Sequence, residues 1–474
     1  MDRTSCVPKW FYQYLATAAG ALHTFTCGMI FGWSSPSLMK LKQTDSSVQL
    51  TGDESSWIVV AISFGSVCGA VMSSVLLNKL SKRVVALLTT IPFIVSWFLI
   101  AFADSFEMLL TARIISGVPD GLVYCLVPLF IAEVSNSKIR GFLISCVMIA
   151  TCFGYLIMNI LGSYLSVKAA SLTSSVFSLL AFVLFFFTPE SPYYLIKNGN
   201  YEKAKQSLRL FQGTDDIESD FNRIRKAVED DKNAKTGNYL DLFVIRSNLK
   251  ALFIVIGLRS IQQLSGIMAV NFYAQTIFEE INSSISASGC SSIYFSVQII
   301  SMGVSSFFVD RLGRKPLIMI STLFVSVTMM TLAIVFYLNE DNRIERNLFI
   351  ILSIVALLVF IMAFNIGLQS ASMILVGEIF PLNVKSCAIS INEISFCALI
   401  IIVNKFFYLT KDKFGMHVPF FAFSVCSMLG LCFVKFFVPE TKKKTLEEIQ
   451  DIFKGTKRKE QATELKPIKG KLDV

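Results

Sequence analysis

The sequence predicts an all-α integral membrane protein with twelve transmembrane helices, arranged as two six-helix halves joined by a helical linker. Three observations lead there. The 474 residues are 54% hydrophobic and only 16% charged, with 42 phenylalanines and a mean hydropathy of +0.61, more apolar than a soluble multidomain chain needs. About twelve apolar runs reach the roughly 20 residues that cross a bilayer core. Short charged patterns also recur in the same order in the two parts of the chain.

In order, the runs are 14–39, 57–77, 84–103, 110–131, 142–163 and 168–187, then 249–278, 286–309, 316–337, 347–376, 386–410 and 417–438. Lipid offers no partner for a free backbone N–H or C=O, and none of the runs alternates like a barrel strand, so each is expected to be a helix. The expected division is 1–189 for the first half, 190–248 for the linker, 249–440 for the second half and 441–474 for a tail. The linker carries helical-looking stretches such as YEKAKQSLRLF (201–211).

Orientation follows from the basic residues. Lys79, Lys82 and Arg83, then Lys138 and Arg140, then Arg311, Arg314 and Lys315, then Lys385 fall in alternate loops; this puts those loops, the linker and both termini in the cytoplasm. The net charge of +9 is then a property of the inner membrane face, and no nucleic-acid partner is needed to explain it. The first run is too long for a cleavable signal and ends without a small-residue cleavage site. An opposite loop contains Asn282-Ser283-Ser284, an N-glycosylation acceptor pattern. The 11 cysteines lie mostly within the runs and read as small packing residues; no metal or cofactor is expected. The sequence offers no nucleophile–base set or phosphate loop, so an enzyme is not expected.

The repeats come in three pairs. VLLNKLSKR (75–83) corresponds to FFVDRLGRK (307–315), IAEVSNSKIRG (131–141) to VGEIFPLNVKS (376–386), and TPESP (188–192) to VPET (438–441). The offsets are roughly 230 to 250 residues. Two parallel repeats with a site between them at mid-membrane is the architecture of a rocking transporter.

Taken with the run from Arg113 through Gly117, Gly121, Pro128 and Glu133 to Arg140 and Gly141, QQLSG (262–266) and EIFP (378–381), these motifs resemble the sugar porter family of the major facilitator superfamily over nearly the whole chain. NKFF (404–407) and VPETKKKTLEEI (438–449) are similar to the insect facilitated trehalose and glucose transporters within it. The resemblance implies the major facilitator fold, alternating access, a trehalose or hexose substrate, a monomer, and the plasma membrane.

QQLSGIMAVNFYAQ (262–275) places the adjacent Gln262 and Gln263, with Ser265, Asn271 and Gln275, in an otherwise apolar run. A neutral polyol is held by groups that both donate and accept, and amides do so without the desolvation cost of a charge. The resemblance makes Gln262 and Gln263 sugar-binding; interhelical hydrogen bonding is the alternative. It also suggests Gln298 as a second ligand. The family's asparagine of the seventh span corresponds to Met268, and whether Asn271 replaces it depends on how the helix unwinds near Gly266. Further departures from the family are Met148, Asn365, Met373 and Phe396 with Cys397, and the tenth span's usual prolines are replaced by Leu368, Ser370 and Ser372. All four tryptophans (Trp10, Trp33, Trp57, Trp97) lie in the first half. The cavity is therefore expected to bind hexose weakly, or to suit a bulkier, less hydroxylated substrate.

Glu133 with Arg140, Asp310 with Arg311 and Arg314, and Glu378 with Lys385 are candidate gating charges. They would pair when the inner side closes and separate when it opens, biasing the two states by about a few kcal/mol at most; fixing topology and helix packing is the alternative. Asn78, Lys79 and Ser81 stand where the second half has Asp310, Arg311 and Gly313, so the gate is not symmetric. Proton-driven relatives carry an acid in the first span, where GMIFGWSSPSL (28–38) has Ser34 and Ser35; this favours facilitated transport. Asp120, a carboxylate deep in the fourth span, argues the other way: it could accept a proton or pair with Arg113. His23 reads as a packed residue and Glu393 as interfacial. A facilitative sugar carrier leads. The alternatives are a proton-coupled symporter using Asp120, and a transporter-derived nutrient sensor or carrier of a non-sugar substrate.

Overall fold

Twelve helices are long and apolar enough to cross a membrane: Phe11–Leu41, Gly52–Leu77, Lys82–Ala101, Phe106–Val134, Arg140–Tyr164 and Val167–Phe187, then Arg246–Phe272, Ala287–Val309, Arg314–Glu340, Arg346–Val376, Cys387–Phe414 and His417–Phe437. They are numbered here as the first to twelfth spans. The computed structural model describes residues 10–41, 48–136, 139–233, 239–380, 382–442 and 448.

Side-chain caps satisfy free N–H groups at the start of several spans. Thr51 and Glu54 form a capping box at the second span, and Ser81, Ser105, Ser166 and Ser286 cap the third, fourth, sixth and eighth. Such caps are worth about 1 kcal/mol each. Within the first half, Gly65 and Gly117 let the second and fourth spans meet backbone to backbone; a Cβ on Gly117 would sit 2.0 Å from the Ile62 carbonyl oxygen. Small residues at such crossings are the membrane solution to close helix packing. Phe187, Ile300, Leu429 and Phe436 are more than half exposed and form a surface suited to acyl chains.

Two spans are irregular near their middles. The seventh breaks at Gly266, whose φ of +86° suits glycine and whose Cβ, were there one, would lie 2.3 Å from the Phe423 ring. The helix resumes as Ile267–Phe272 and again as Ala274–Ile281. The tenth carries a π-helical turn at Phe364–Gln369. Ser321 of the ninth span supports it by donating to Ala363 O (2.6 Å) and accepting from Leu368 N (2.8 Å). Irregular turns of this kind free backbone groups for other partners and recur at functional sites.

Between the sixth and seventh spans, helices Pro192–Lys197, Tyr201–Gln212 and Glu218–Asn233 bury Leu195, Leu208, Phe221 and Ile224 against one another. Gln13, at the start of the first span, ties them to the bundle: its Nε2 donates to Phe211 O (2.8 Å), and its Oε1 accepts from Asn136 N (2.9 Å). This end of the bundle is the linker face.

The described polar contacts between the halves gather at the opposite, far face. Gln275 Nε2 donates to Asn159 Oδ1 (2.9 Å) and Ser163 Oγ (2.8 Å), and Asn159 Nδ2 donates to Ser292 Oγ (3.0 Å). Lys405 Nζ donates to Ser56 Oγ (2.7 Å) and lies 3.7 Å from the Trp57 ring centre. Also between the halves, Tyr155 stacks on Phe295 and Phe31 on Phe272, each pair 5.7 Å apart. The halves are thus clasped on the far side.

Candidate functional site

The two adjacent glutamines of the seventh span are used differently. Gln262 is committed within the protein: its Nε2 donates to Leu368 O of the π turn (2.8 Å), and its Oε1 accepts from Arg259 Nη1 (3.0 Å). Gln263, pointing about 100° away around the helix, is just as buried, yet its Oε1 has no partner. Gln298 Oε1, Tyr273 OH and Trp33 Nε1 are buried and unpartnered in the same way. A buried polar atom left unpaired costs about 1–3 kcal/mol, and a ligand hydroxyl is a partner that can satisfy one.

The other expected ligands divide similarly. Asn271 accepts from Tyr294 OH (3.0 Å), and Asn365 Nδ2 donates to Ser301 Oγ (3.0 Å). Met148, Met268, Met373 and Phe396 are half-buried. Met373 lines a narrow crevice with Leu258, Arg259, Gln262, Ser372 and Val376.

Sequence reasoning missed Arg259. Its Nη2 bonds Glu393 Oε1 (2.8 Å), its Nε bonds Asn392 Oδ1 (3.3 Å), and its guanidinium carbon lies 4.6 Å from the centre of the Phe396 ring. Glu393, expected to be interfacial, is half of an ion pair whose side chains are only 5% and 14% exposed. Charges of opposite sign in the seventh and eleventh spans were the available signal.

Asp120 does not pair with Arg113. Seven residues apart along a helix is about 10 Å, and Arg113 is occupied by Ile30 O (2.7 Å) and Ser34 Oγ (2.9 Å), with its guanidinium 4.9 Å from the Trp33 ring. Asp120 Oδ2 accepts from Ser66 Oγ (2.8 Å), Oδ1 is buried without a hydrogen bond, and the Cys27 thiol of the first span lies close to the carboxylate. His23 is a packed residue, with Nε2 3.0 Å from Thr89 Oγ1 and its ring beside Phe93 and Phe185.

On the linker face, Glu133 pairs with Lys82 (2.6 Å) and accepts from Ser191 Oγ (2.6 Å); Arg140 is not its partner, and Arg140 Nε is buried without one. This contact staples the first half internally. In the second half Arg311 packs over Phe307 (3.9 Å), while the backbone N–H groups of Arg314 and Lys315 donate to Glu440 (3.1 and 2.9 Å). The side chains of Asp310, Glu378 and Lys385 lie outside the described residues, as does most of the expected tail. Glu440 has burial acting to raise its carboxyl pKa, but N–H donors from Lys442, Arg314, Lys315 and Thr441 outweigh this and hold it below the ordinary value. Its counterpart Glu190 accepts from Ser81 Oγ (2.6 Å). On the far face, Asn282 and Ser284 of the glycosylation pattern are exposed. Among the described residues no cluster could hold a metal ion.

Comparison with known proteins identifies the family and the fold. The family of sugar (and other) transporters matches residues 14–453. The facilitated trehalose transporter Tret1 of Polypedilum vanderplanki is 31% identical, covering 98% of this chain and 93% of its own. The Aedes aegypti protein of the same name is 29% identical over 96% of this chain, which spans only 57% of that relative. The inward open conformation of the xylose transporter XylE from E. coli shares the fold with a TM-score of 0.76 at 21% identity, covering 93% of this chain and 99% of that one. Twelve spans in the major facilitator fold make this a multi-pass membrane protein, and the chain belongs to the sugar transporter family.

Proposed function

We propose that the protein carries a sugar, trehalose or a hexose, passively across the plasma membrane by alternating access, with the linker face in the cytoplasm and the far face outside. The observation that carries this is Gln263, a buried amide with a free oxygen beside the broken helix at Gly266, in a chain of the sugar transporter family. Gln298, Tyr273 and Trp33 supply further unpaired groups. Met148, Met268, Met373 and Phe396 give apolar surface for the faces of the ring, and Asn271 and Asn365 hold neighbouring side chains in register. Gln262 serves as structural support for the tenth span. The far-face clasp suits an inward-facing state, and opening outward requires the Asn159–Gln275 and Lys405–Ser56 bonds to break. Glu133, Arg140, Asp310, Arg311, Arg314, Glu378 and Lys385 act at the inner face, and Asn282 is the glycan acceptor.

Passive transport fits Ser34 and Ser35 in the first span, since these take the place of a carboxylate. One observation favours proton coupling as a second reading: Asp120 Oδ1, buried and unpartnered. Oocytes expressing the chain should take up labelled trehalose or glucose saturably, in competition with the unlabelled sugar. Surface-expressed protein that takes up neither sugar would sink the proposal.

A further inference from the structure

We propose that Glu393 is itself a sugar-binding residue, its free carboxylate oxygen accepting a hydrogen bond from a substrate hydroxyl. This rests on the sugar-carrier reading and adds to it a ligand that no family motif contains. Both donors to the carboxylate, Arg259 Nη2 (2.8 Å) and Asn392 Nδ2 (3.1 Å), bond Oε1. Among the described residues nothing bonds Oε2, and unlike the oxygen of Gln263 it is not sealed from water-sized contacts. The Glu393 side chain is also more open than that of Arg259, 14% against 5% exposed. Glu393 also lies near the first half, close enough to interact electrostatically with Asp120, Tyr124 and Cys125 of the fourth span.

A carboxylate within the bilayer requires a cation beside it. Arg259 meets that need through one oxygen and leaves the other for a ligand. A hydroxyl is the matching donor: an anionic ligand would be repelled, and a cationic one would compete with Arg259. Charge-assisted hydrogen bonds are roughly twice as strong as neutral ones, so one carboxylate can offset the asparagine whose place Met268 takes. Phe396, three residues on and on the same helix face, adds an apolar edge beside it.

The test compares Glu393→Gln with the parent, both full-length in proteoliposomes, by competition of glucose and each singly deoxygenated glucose against labelled sugar in counterflow. The proposal expects glucose to bind about ten-fold more weakly to the variant, and one deoxyglucose, lacking the hydroxyl that Glu393 holds, to bind parent and variant within about two-fold. Arg259→Met/Glu393→Met, which leaves no unpaired buried charge, should repeat the pattern if Glu393→Gln is poorly folded. A uniform loss across the series, or no loss, overturns the proposal and leaves the sugar reading standing. A parent that exchanges none of these sugars overturns both.

Discussion

Among the described residues each half buries one arginine against an aromatic ring, and the two are held in different ways. Arg113 lies 4.9 Å from the Trp33 ring and gives its N–H groups to Ile30 O and Ser34 Oγ, both uncharged. Arg259 lies 4.6 Å from the Phe396 ring and gives its N–H groups to Glu393, Asn392 and Gln262. Among the described residues no carboxylate bonds Arg113, and Asp120 acts on it only through space. In the second half the seventh and tenth spans are irregular, and the arginine instead ties together the seventh and eleventh spans and, through Gln262 and Leu368, the tenth. The first half therefore reads as the rigid partner and the second as the adjustable one.

The largest expected effect tests that difference directly. Arg259→Met leaves Glu393 as an uncompensated charge and should destabilise by about 3–5 kcal/mol, whereas Arg113→Met takes a donor from the Ile30 and Ile58 carbonyls and the Ser34 hydroxyl and should cost about 1–3 kcal/mol. Arg259→Met/Glu393→Met should recover most of the loss. Thermal unfolding in detergent measures all three, and equal losses for the two single variants would remove the distinction.

Next come the glutamines. Gln263→Ala should weaken sugar affinity about ten-fold with little change in melting temperature, and Gln262→Ala should do the reverse, because it strands Leu368 O and an Arg259 N–H at about 1–3 kcal/mol. Transport kinetics beside melting curves separate them; a shared phenotype would mean that both amides serve one role. At the clasp, Lys405→Met should favour the outward-facing state by about 1 kcal/mol. The reading is a roughly five-fold faster labelling of Ser35→Cys by an impermeant thiol reagent from outside, and an unchanged rate would show that Lys405 does not hold the halves together.

The smallest effect sharpens the comparison at the linker face. Glu440 caps the ninth span with its carboxylate, and its pKa is held below the ordinary value of 4.5. A depressed carboxyl stabilises the folded state fully above its ordinary pKa, and that contribution is lost as pH falls through the folded value. Glu440→Gln should therefore lower the melting temperature slightly at pH 7, with the gap to the parent closing in acid; a gap independent of pH would assign the effect to shape.

The apolar runs were legible because bilayer thickness fixes their length, and all twelve appear, with ends shifted by a few residues, as in 14–39 against Phe11–Leu41. The break at Gly266 was legible as a glycine following polar residues. The use of Gln262 was not: it depends on Arg259 one turn back and on Leu368 O, 106 residues away, freed by a π turn that no local pattern announces. Glu393 was misread for the same reason, since its partner lies 134 residues earlier. The gating motifs show which charges occur at the inner face but not their pairing: Lys82, from a different motif, takes Glu133.

The proposed transport is passive, and the buried carboxylate of Asp120 does not couple protons. The most direct test is initial uptake of labelled trehalose and glucose into proteoliposomes with and without an inward proton gradient, for the parent and Asp120→Asn. The account expects saturable uptake that the gradient does not drive uphill, in both proteins. Accumulation that needs the gradient and disappears in Asp120→Asn would contradict it.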